Sequence, residues 1–514
     1  MKHIKTAAVY DRWLSTLGGG EQVAFAYAQT FTELGYKTVL LTHAKVDTQK
    51  AEKKMDVSLK DIEIVYLPIK SSKELSQYTE KYDVFVNTSY LDYFANRGKN
   101  GILSIFFPSQ IYLTPYEYIK RAFIIPSFRS FFIYPLQYEN FAYDEFKQHK
   151  MYRWLCESSS ILLSKKIRKI SITLFFDALA FSTLEQIQFS RNGVTIEPKL
   201  KKLDHKNNEV EYFFEFANPE DSKLTILMPK TKDSVAAITK VTIPNIRYYL
   251  YNLFKTFFPT WEMRLHGGPG ITKRSELESY QTIITISEFC KHWIKKYWGL
   301  NAKVLYPPVN TSNFKPSKQK KNYICTVGRF FVTGHSKKQL DQIKVFKKMY
   351  DQGATKDWQL HLIGSVHPGD QHQQYFETCQ TTAAGYPIFF HTDVPFSELK
   401  QFLSQSKIYW HATGLDEDEQ RNPILFEHFG ITTVEAMASG CVPVVIRAGG
   451  QKEIVTEESG FTWANREEWI EKTTTLISDT KLLEKISKAA VTRSEYFSRE
   501  NFKLRFEKII QKKA

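Results

Sequence analysis

The 514-residue sequence predicts an α/β protein of two doubly wound parallel-sheet domains facing across a cleft, the first carrying a small β-rich insertion. Three observations carry this expectation. Apolar runs of strand length alternate with stretches of helical spacing in both halves of the chain. A double proline, Pro307-Pro308-Val309-Asn310, and then a basic polar stretch from Lys315 to Asn322 separate the halves. Between about residues 165 and 230 the rhythm changes to short strand-like runs parted by turn signals such as Arg191-Asn192-Gly193.

In chain order, residues 7–10 read as a buried strand, Gly18-Gly19-Gly20 as a turn, and 21–34 as a helix stopped by Gly35. Strands follow at 37–42, 62–66, 83–87 and 102–107. Residues 111–143 break the pattern by interleaving Tyr112, Tyr116, Phe123, Phe128 and Phe131 with Lys120, Arg121 and Arg129. Such a composition suits a segment lying on an anionic membrane surface, and equally a flap over the domain's own core. The βα rhythm resumes at 282–286, and a second domain opens at 323–327 with further strands at 359–363, 388–391, 408–411 and 442–446. The expected division is 1–164 and 231–310 for the first domain, 165–230 for the insertion, and 311–490 for the second domain. Residues 491–514 are expected to form a C-terminal helix returning to the first domain.

Composition narrows the function class. Hydrophobic residues at 42% and aromatics at 15% exclude a disordered chain. Seventy basic against 55 acidic residues give a net charge of +15, which points to an anionic partner: nucleic acid, a phosphorylated substrate or anionic lipid. No helix-turn-helix, zinc-finger or RNA-binding signature accompanies it, so nucleic acid is not expected. The five cysteines, Cys156, Cys290, Cys325, Cys379 and Cys441, are dispersed, which argues against a disulfide framework or a zinc site. The apolar stretch near the N-terminus is too short for a signal peptide, and no run reaches the ~18 apolar residues of a spanning helix. A cytoplasmic protein, peripheral on the inner face of the membrane, is the expectation.

The most informative stretch runs from Glu427 through Glu435 to Gly440. Its two carboxylates stand eight positions apart, the first in a loop and the second on a helix starting near Thr432. Thr432 and Glu435 fit a capping box and Gly440 a helix stop, which accounts for Glu435 without a ligand. That leaves Glu427, Gly430 and the later Gly449-Gly450 unexplained. Gly430 at a helix start would let backbone N–H groups approach a phosphate, and a nearby carboxylate would accept hydrogen bonds from sugar hydroxyls. Asp416-Glu417-Asp418 mimics a D-x-D metal motif but sits in an acidic loop and reads as surface charge.

This E-x7-E pattern, with Gly-Gly-x-x-Glu-Ile-Val at 449–455, resembles the donor site of family 4 glycosyltransferases, which have the GT-B fold of two Rossmann-like domains. Gly18-Gly19-Gly20-Glu21, Tyr306-Pro307-Pro308-Val309, Gly328-Arg329-Phe330 with Lys337-Lys338-Gln339, Gly364 with His367-Pro368-Gly369-Asp370, and Trp410-His411 fall in the expected order. The resemblance implies transfer of a sugar from a nucleotide-diphosphate sugar to a glycolipid or polysaccharide acceptor, with retention of anomeric configuration. It implies a hexosyltransferase-type enzyme that needs no metal ion or cofactor beyond the donor as co-substrate. Glu427, Arg329 and Lys338 become the expected catalytic residues; Lys338 is favoured over Lys337 because the family lysine directly precedes a helix. The two cations would stabilise the leaving diphosphate. Gly328, Lys337, Gly364, His411, Phe429, Gly430, Ile431, Thr432, Glu435, Gly449 and Gly450 would bind the donor, and Gly18, Gly19 and Gly20 the diphosphate or acceptor. Family members carry a histidine near the strand end written here Ile105-Phe106-Phe107-Pro108, where this chain has Phe106; His266 is a substitute. The alternative is a non-catalytic nucleotide-sugar- or glycan-binding protein on the same scaffold.

Overall fold

A computed structural model describes residues 4–511 apart from 44, 68–71, 113, 133–135, 148–149, 177–183, 185, 230–235, 258–271, 333 and 368–369. The chain enters on β1 (Thr6–Tyr10), β2 (Lys37–Thr42), β3 (Ile62–Tyr66), β4 (Val84–Asn87) and β5 (Gly101–Ile105). After a long excursion it returns on β15 (Thr282–Thr285) and β16 (Lys303–Val304). These seven strands form one sheet in the order β16-β15-β5-β4-β1-β2-β3, paired in parallel throughout. Strands β1 and β2 are almost wholly buried apolar runs, as expected when helices cover both faces of a parallel sheet.

The second domain repeats the plan. Six parallel strands, β17 (Lys321–Val327), β18 (Gln359–Ile363), β19 (Ile388–His391), β20 (Ser406–His411), β21 (Val442–Ile446) and β22 (Phe461–Trp463), lie in the order β19-β18-β17-β20-β21-β22. In this order β17 lies between β18 and β20, where the winding reverses. Residues that follow their C-terminal ends are therefore candidates to line a ligand crevice.

The excursion is larger than the expected 165–230 insertion. Nine described antiparallel strands, from β6 (Gln137–Lys147) and β7 (Lys150–Leu163) to β14 (Ala236–Thr242), form a separate sheet with its own core around Ile170, Ile172, Phe189 and Phe214. The first hairpin escaped the sequence pattern because it is bulged. The β6–β7 register shifts twice, and Asn140 adopts a left-handed φ of 58°. A strict alternation of apolar and polar residues cannot survive that. Serines in the middle of β7 weaken the signal further, yet two of the three are used: Ser159 Oγ donates to the Asn140 carbonyl at 2.8 Å, and Ser160 meets Thr225 Oγ1 at 3.0 Å. Helices bracket this sheet. A helical run over 115–132, with a wide turn at Lys120–Ile124 just before Pro126, precedes it, and a helix Ile246–Phe257 follows it.

The two parallel-sheet domains are tied at the double proline and at the C-terminus. Tyr306, entering the linker, packs on Phe429 and Phe497 of the second domain. Val309 N–H donates to the Phe497 carbonyl at 3.0 Å. Beyond it the helix Arg499–Gln511 lies on the first domain, seating Phe502 and Phe506 against Tyr27 and Phe31 of the helix Gly19–Glu33. Lys503 pairs with Glu33 at 2.6 Å, and Arg499 donates to the Asp56 carbonyl. Across the cleft, Glu453 accepts from the N–H groups of Glu288 and Phe289 at 2.7 and 2.8 Å, capping the helix Glu288–Trp298. The fully buried Phe506 carries much of the C-terminal contact. Phe506→Ala is expected to cost ~3–5 kcal/mol and lower the unfolding temperature; an unchanged thermal transition would show that this helix does not support the first domain.

Candidate active site

The site is built on loops that leave the strands at the switch point. After β17 the chain passes Gly328, whose N–H donates to the Ile363 carbonyl at 2.8 Å. A Cβ on Gly328 would lie 2.4 Å from Lys337 Cγ, so the lysine side chain runs directly across the glycine. Gly364, at φ +153°, faces the Gly328 carbonyl from the end of β18. Gln339 Nε2 donates to the carbonyls of Gly328 and Arg329 at 3.1 and 3.0 Å and pins this loop.

Lys337 Nζ forms an ion pair with Glu427 Oε2. The same oxygen lies 3.0 Å from Nε2 of His411, the last residue of β20. Burial by itself would raise the Glu427 pKa, but Lys337, then His411 and His335, hold it well below the ordinary carboxylate range. With the carboxylate ionised, His411 Nε2–H is the donor. Its Nδ1 is buried without a hydrogen-bond partner among the described residues, and burial keeps the ring's pKa low against the pull of Glu427. Arg329 is exposed beside this group, its guanidinium 5.7 Å from the Phe331 ring centre.

Lys338 goes elsewhere. It occupies the N-cap of the helix Gln339–Asp351 in a left-handed conformation (φ 55°), and its Nζ pairs with Glu417 at 2.8 Å. That backbone turn separates two adjacent lysines: Lys337 meets Glu427, while Lys338, the one favoured for the donor diphosphate, pairs with Glu417. In the acidic loop, Asp416 is committed to Arg466 and Asp418 to Arg421.

Behind Glu427 the chain folds tightly. Gly430 (φ 122°) is the N-cap of the helix Ile431–Ala438, and Gln451 Nε2 fills the place of its missing Cβ. Thr432 therefore lies inside the helix, its hydroxyl 2.8 Å from Tyr409 OH, and forms no capping box with Glu435. Gly449 and Gly450 are buried: Gly450 N–H donates to the Glu427 carbonyl at 2.7 Å, and a Cβ on either would strike the backbone of 427–429. They support the Glu427 loop from below. Phe429 is buried between Tyr306 and Phe497 and anchors the same loop. Glu435 is partly buried on the helix, and burial pushes its pKa up to about 8.

The first domain meets this surface through Gly19 and Gly20, which open the helix Gly19–Glu33 two residues earlier than the expected start at Glu21 and are not a separate turn. A Cβ on Gly19 would lie 3.2 Å from Ile431 Cδ1, and one on Gly20 would lie 3.4 Å from the Phe106 ring. Gly18 N–H donates to Glu21 Oε2 at 2.6 Å and starts the helix. Phe106 thus lies against Gly20, while Phe107 stacks on His428 at 4.3 Å. His266, Pro368 and Gly369 lie outside the described residues.

Three residues that the sequence did not single out belong to this region. His335 and His428 have ring centres 5.9 Å apart beside Glu427. Burial and neighbouring Lys337 lower the His335 pKa; burial and His335 push His428 down to about 3. Asp11, at the end of β1, accepts from Trp13 N–H at 2.8 Å and from the Thr88 hydroxyl. Burial and then Glu21 push its pKa up to about 7. Isolated histidines in loops give no spacing signal; Asp11 follows a buried strand, the position where open α/β sheets gather functional groups.

The comparisons fall on this geometry. Residues 310–493 match the family described as "Glycosyl transferases group 1". The architecture is GT-B, shared with Anabaena HepE solved with UDP and glucose (TM-score 0.52, 11% identity, 99% of this chain and 100% of that chain). A glycosyltransferase from Rickettsia africae is similar in the same way (TM-score 0.50, 13% identity, 99% and 98%). Curated relatives are the GDP-Man:Man(3)GlcNAc(2)-PP-Dol alpha-1,2-mannosyltransferases of Dictyostelium discoideum (25% identical, 42% of this chain, 43% of that protein) and Homo sapiens (26%, 45% and 48%). The chain thus spans about half the length of the curated relatives it matches.

Glu435 supplies a test of the site's electrostatics. The folded carboxyl keeps its proton to about pH 8, whereas the unfolded side chain ionises near 4.5. Between these values the unfolded state binds fewer protons, so stability falls as pH rises through the window. Glu435→Gln removes that fall, and its advantage in unfolding temperature over the wild type should grow from pH 5 to pH 8. Parallel curves across the window would contradict the placement.

Proposed function

We propose that the protein is a glycosyltransferase that moves mannose from GDP-mannose to a lipid-linked glycan, with retention of configuration. The observation that carries the reading is Glu427, held ionised by Lys337 and His411 where Gly19 of one domain meets the donor helix of the other. The curated relatives support the nucleotide, the sugar and the lipid-linked acceptor.

In this reading the donor diphosphate lies against the start of the helix Ile431–Ala438 and takes Lys337 and Arg329 as counter-charges. Both cations stabilise the charge that grows on the departing nucleoside diphosphate. The acceptor hydroxyl attacks the anomeric carbon from the face the diphosphate leaves, and its proton passes to the departing phosphate oxygen. No protein nucleophile is required. Glu427 accepts hydrogen bonds from the sugar, with His411 fixing its orientation, and Glu435 receives the ribose hydroxyls. Closure of the domains excludes water that would hydrolyse the donor. A metal ion is not part of the scheme. The acceptor arrives from a membrane against which the aromatic helical run 115–132 rests.

A binding protein without turnover is the second reading, and Phe106 favours it because it presents an apolar ring to Gly20. Donor hydrolysis separates the two. GDP-mannose should raise the unfolding temperature of the wild type and be slowly hydrolysed by it. Lys337→Ala and Glu427→Ala should each lose ~10²-fold or more of that turnover. Lys338→Ala should stay near wild type. Stabilisation without hydrolysis, even with lipid-linked acceptor supplied, would favour the binding protein. No response to GDP-, UDP-, ADP- or dTDP-sugars would sink the transferase reading.

A further inference from the structure

The helical run 115–132 buries none of its residues. Tyr116 and Phe123 are 67% and 61% exposed, and on the helix Ile246–Phe257 Tyr249, Leu253 and Phe257 are 62%, 58% and 69% exposed. Residues this apolar do not remain in water at such density without a use. The two helices, more than a hundred residues apart in sequence, lie together: Phe132 packs on Phe254 at 5.0 Å and on Tyr251 at 5.7 Å, and Phe128 on Phe254 at 5.6 Å. They therefore form one platform, placed where the first domain hands the chain to the β-sheet and receives it back.

Their charge is one-sided. The platform carries Lys120, Arg121, Arg129 and Arg247 against a single acid among the described residues, Glu117. Arg121 and Lys120 share Glu117, and the Arg247 guanidinium lies 5.5 Å from the Phe131 ring centre. A two-fold interface would set this basic surface against itself, which disfavours a second copy as its cover. Among the described residues no helix is long and apolar enough to cross a membrane. Aromatic rings with basic neighbours on short helices suit the interface of an anionic bilayer instead.

We infer that the helical run 115–132 and the helix Ile246–Phe257 together form a two-helix platform that docks on anionic lipid, and that both helices are needed. The inference deepens the lipid-linked-acceptor reading and rests on it for its purpose. It also makes the β-sheet a body held at both ends by membrane-bound helices, beside the domain that would receive the acceptor.

Flotation of the full chain with vesicles tests it at ~0.15 M salt. The protein should bind phosphatidylcholine vesicles that contain phosphatidylserine and bind pure phosphatidylcholine much more weakly. Tyr116→Ser with Phe123→Ser, and separately Tyr249→Ser with Leu253→Ser, should each weaken binding at least ~tenfold, because every ring or aliphatic chain removed forfeits its transfer from water. These positions are exposed, so thermal unfolding and the GDP-mannose response should stay unchanged and report folding independently. Binding that ignores the second pair would overturn the two-helix platform. Absence of vesicle binding would overturn it too, as would a concentration-dependent dimer that the same substitutions abolish. Loss of the GDP-mannose response with vesicle binding intact would sink the transferase reading alone.

Discussion

A carboxylate taken largely out of water must find positive charge or give up its own. Glu427 is 17% exposed and keeps its charge because Lys337 pairs with it and His411 donates to the same oxygen. The surrounding structure serves that meeting. Gly328 clears a path for the lysine stem, Gly449 and Gly450 let the backbone of the Glu427 loop settle close, and Phe429 pins the loop beneath the interdomain linker. The two domains then close on it through Gly19 and Ile431, and through Glu453 on the helix Glu288–Trp298.

This arrangement gives the ion pair a second consequence. A cation already engaged by a carboxylate is not free to receive a phosphate. On the proposed glycosyltransferase reading an arriving diphosphate takes Lys337 from Glu427 and leaves the carboxylate to the sugar hydroxyls and His411. Donor binding and carboxylate release are then one event, and an empty site keeps its most reactive charges neutralised. The rings of His335 and His428, whose pKa values burial lowers, lie beside the pair.

Much of this was legible in the sequence, for identifiable reasons. Strands β2 and β21 occupy the residues their apolar runs predict, because strands buried on both faces leave continuous runs that no surface pattern interrupts. Glu427 and Gly430 stood out through their place in the E-x7-E stretch, and His411 only through the family resemblance. The division of labour between Lys337 and Lys338 was hidden because a single left-handed residue decides which lysine faces the site. The capping box at Thr432 failed for a related reason: Gly430 starts the helix two residues earlier. The hairpin β6–β7 was hidden by its bulges, and the helix Ile246–Phe257 by an apolar face directed away from any core. His335 and His428 become meaningful only when the chain brings them to Glu427.

The central claim is that Lys337 must exchange Glu427 for the donor diphosphate, and calorimetric titration of GDP into wild type and Glu427→Gln tests it directly. Removing the carboxylate charge removes a competitor for Lys337, so GDP should bind the variant more tightly, by about an order of magnitude for a pair worth ~1.4 kcal/mol in that competition. Lys337→Ala should weaken GDP binding in either background. If Glu427→Gln binds GDP no better than the wild type while Lys337→Ala is harmless, the ion pair is a structural contact and the account of the site is wrong.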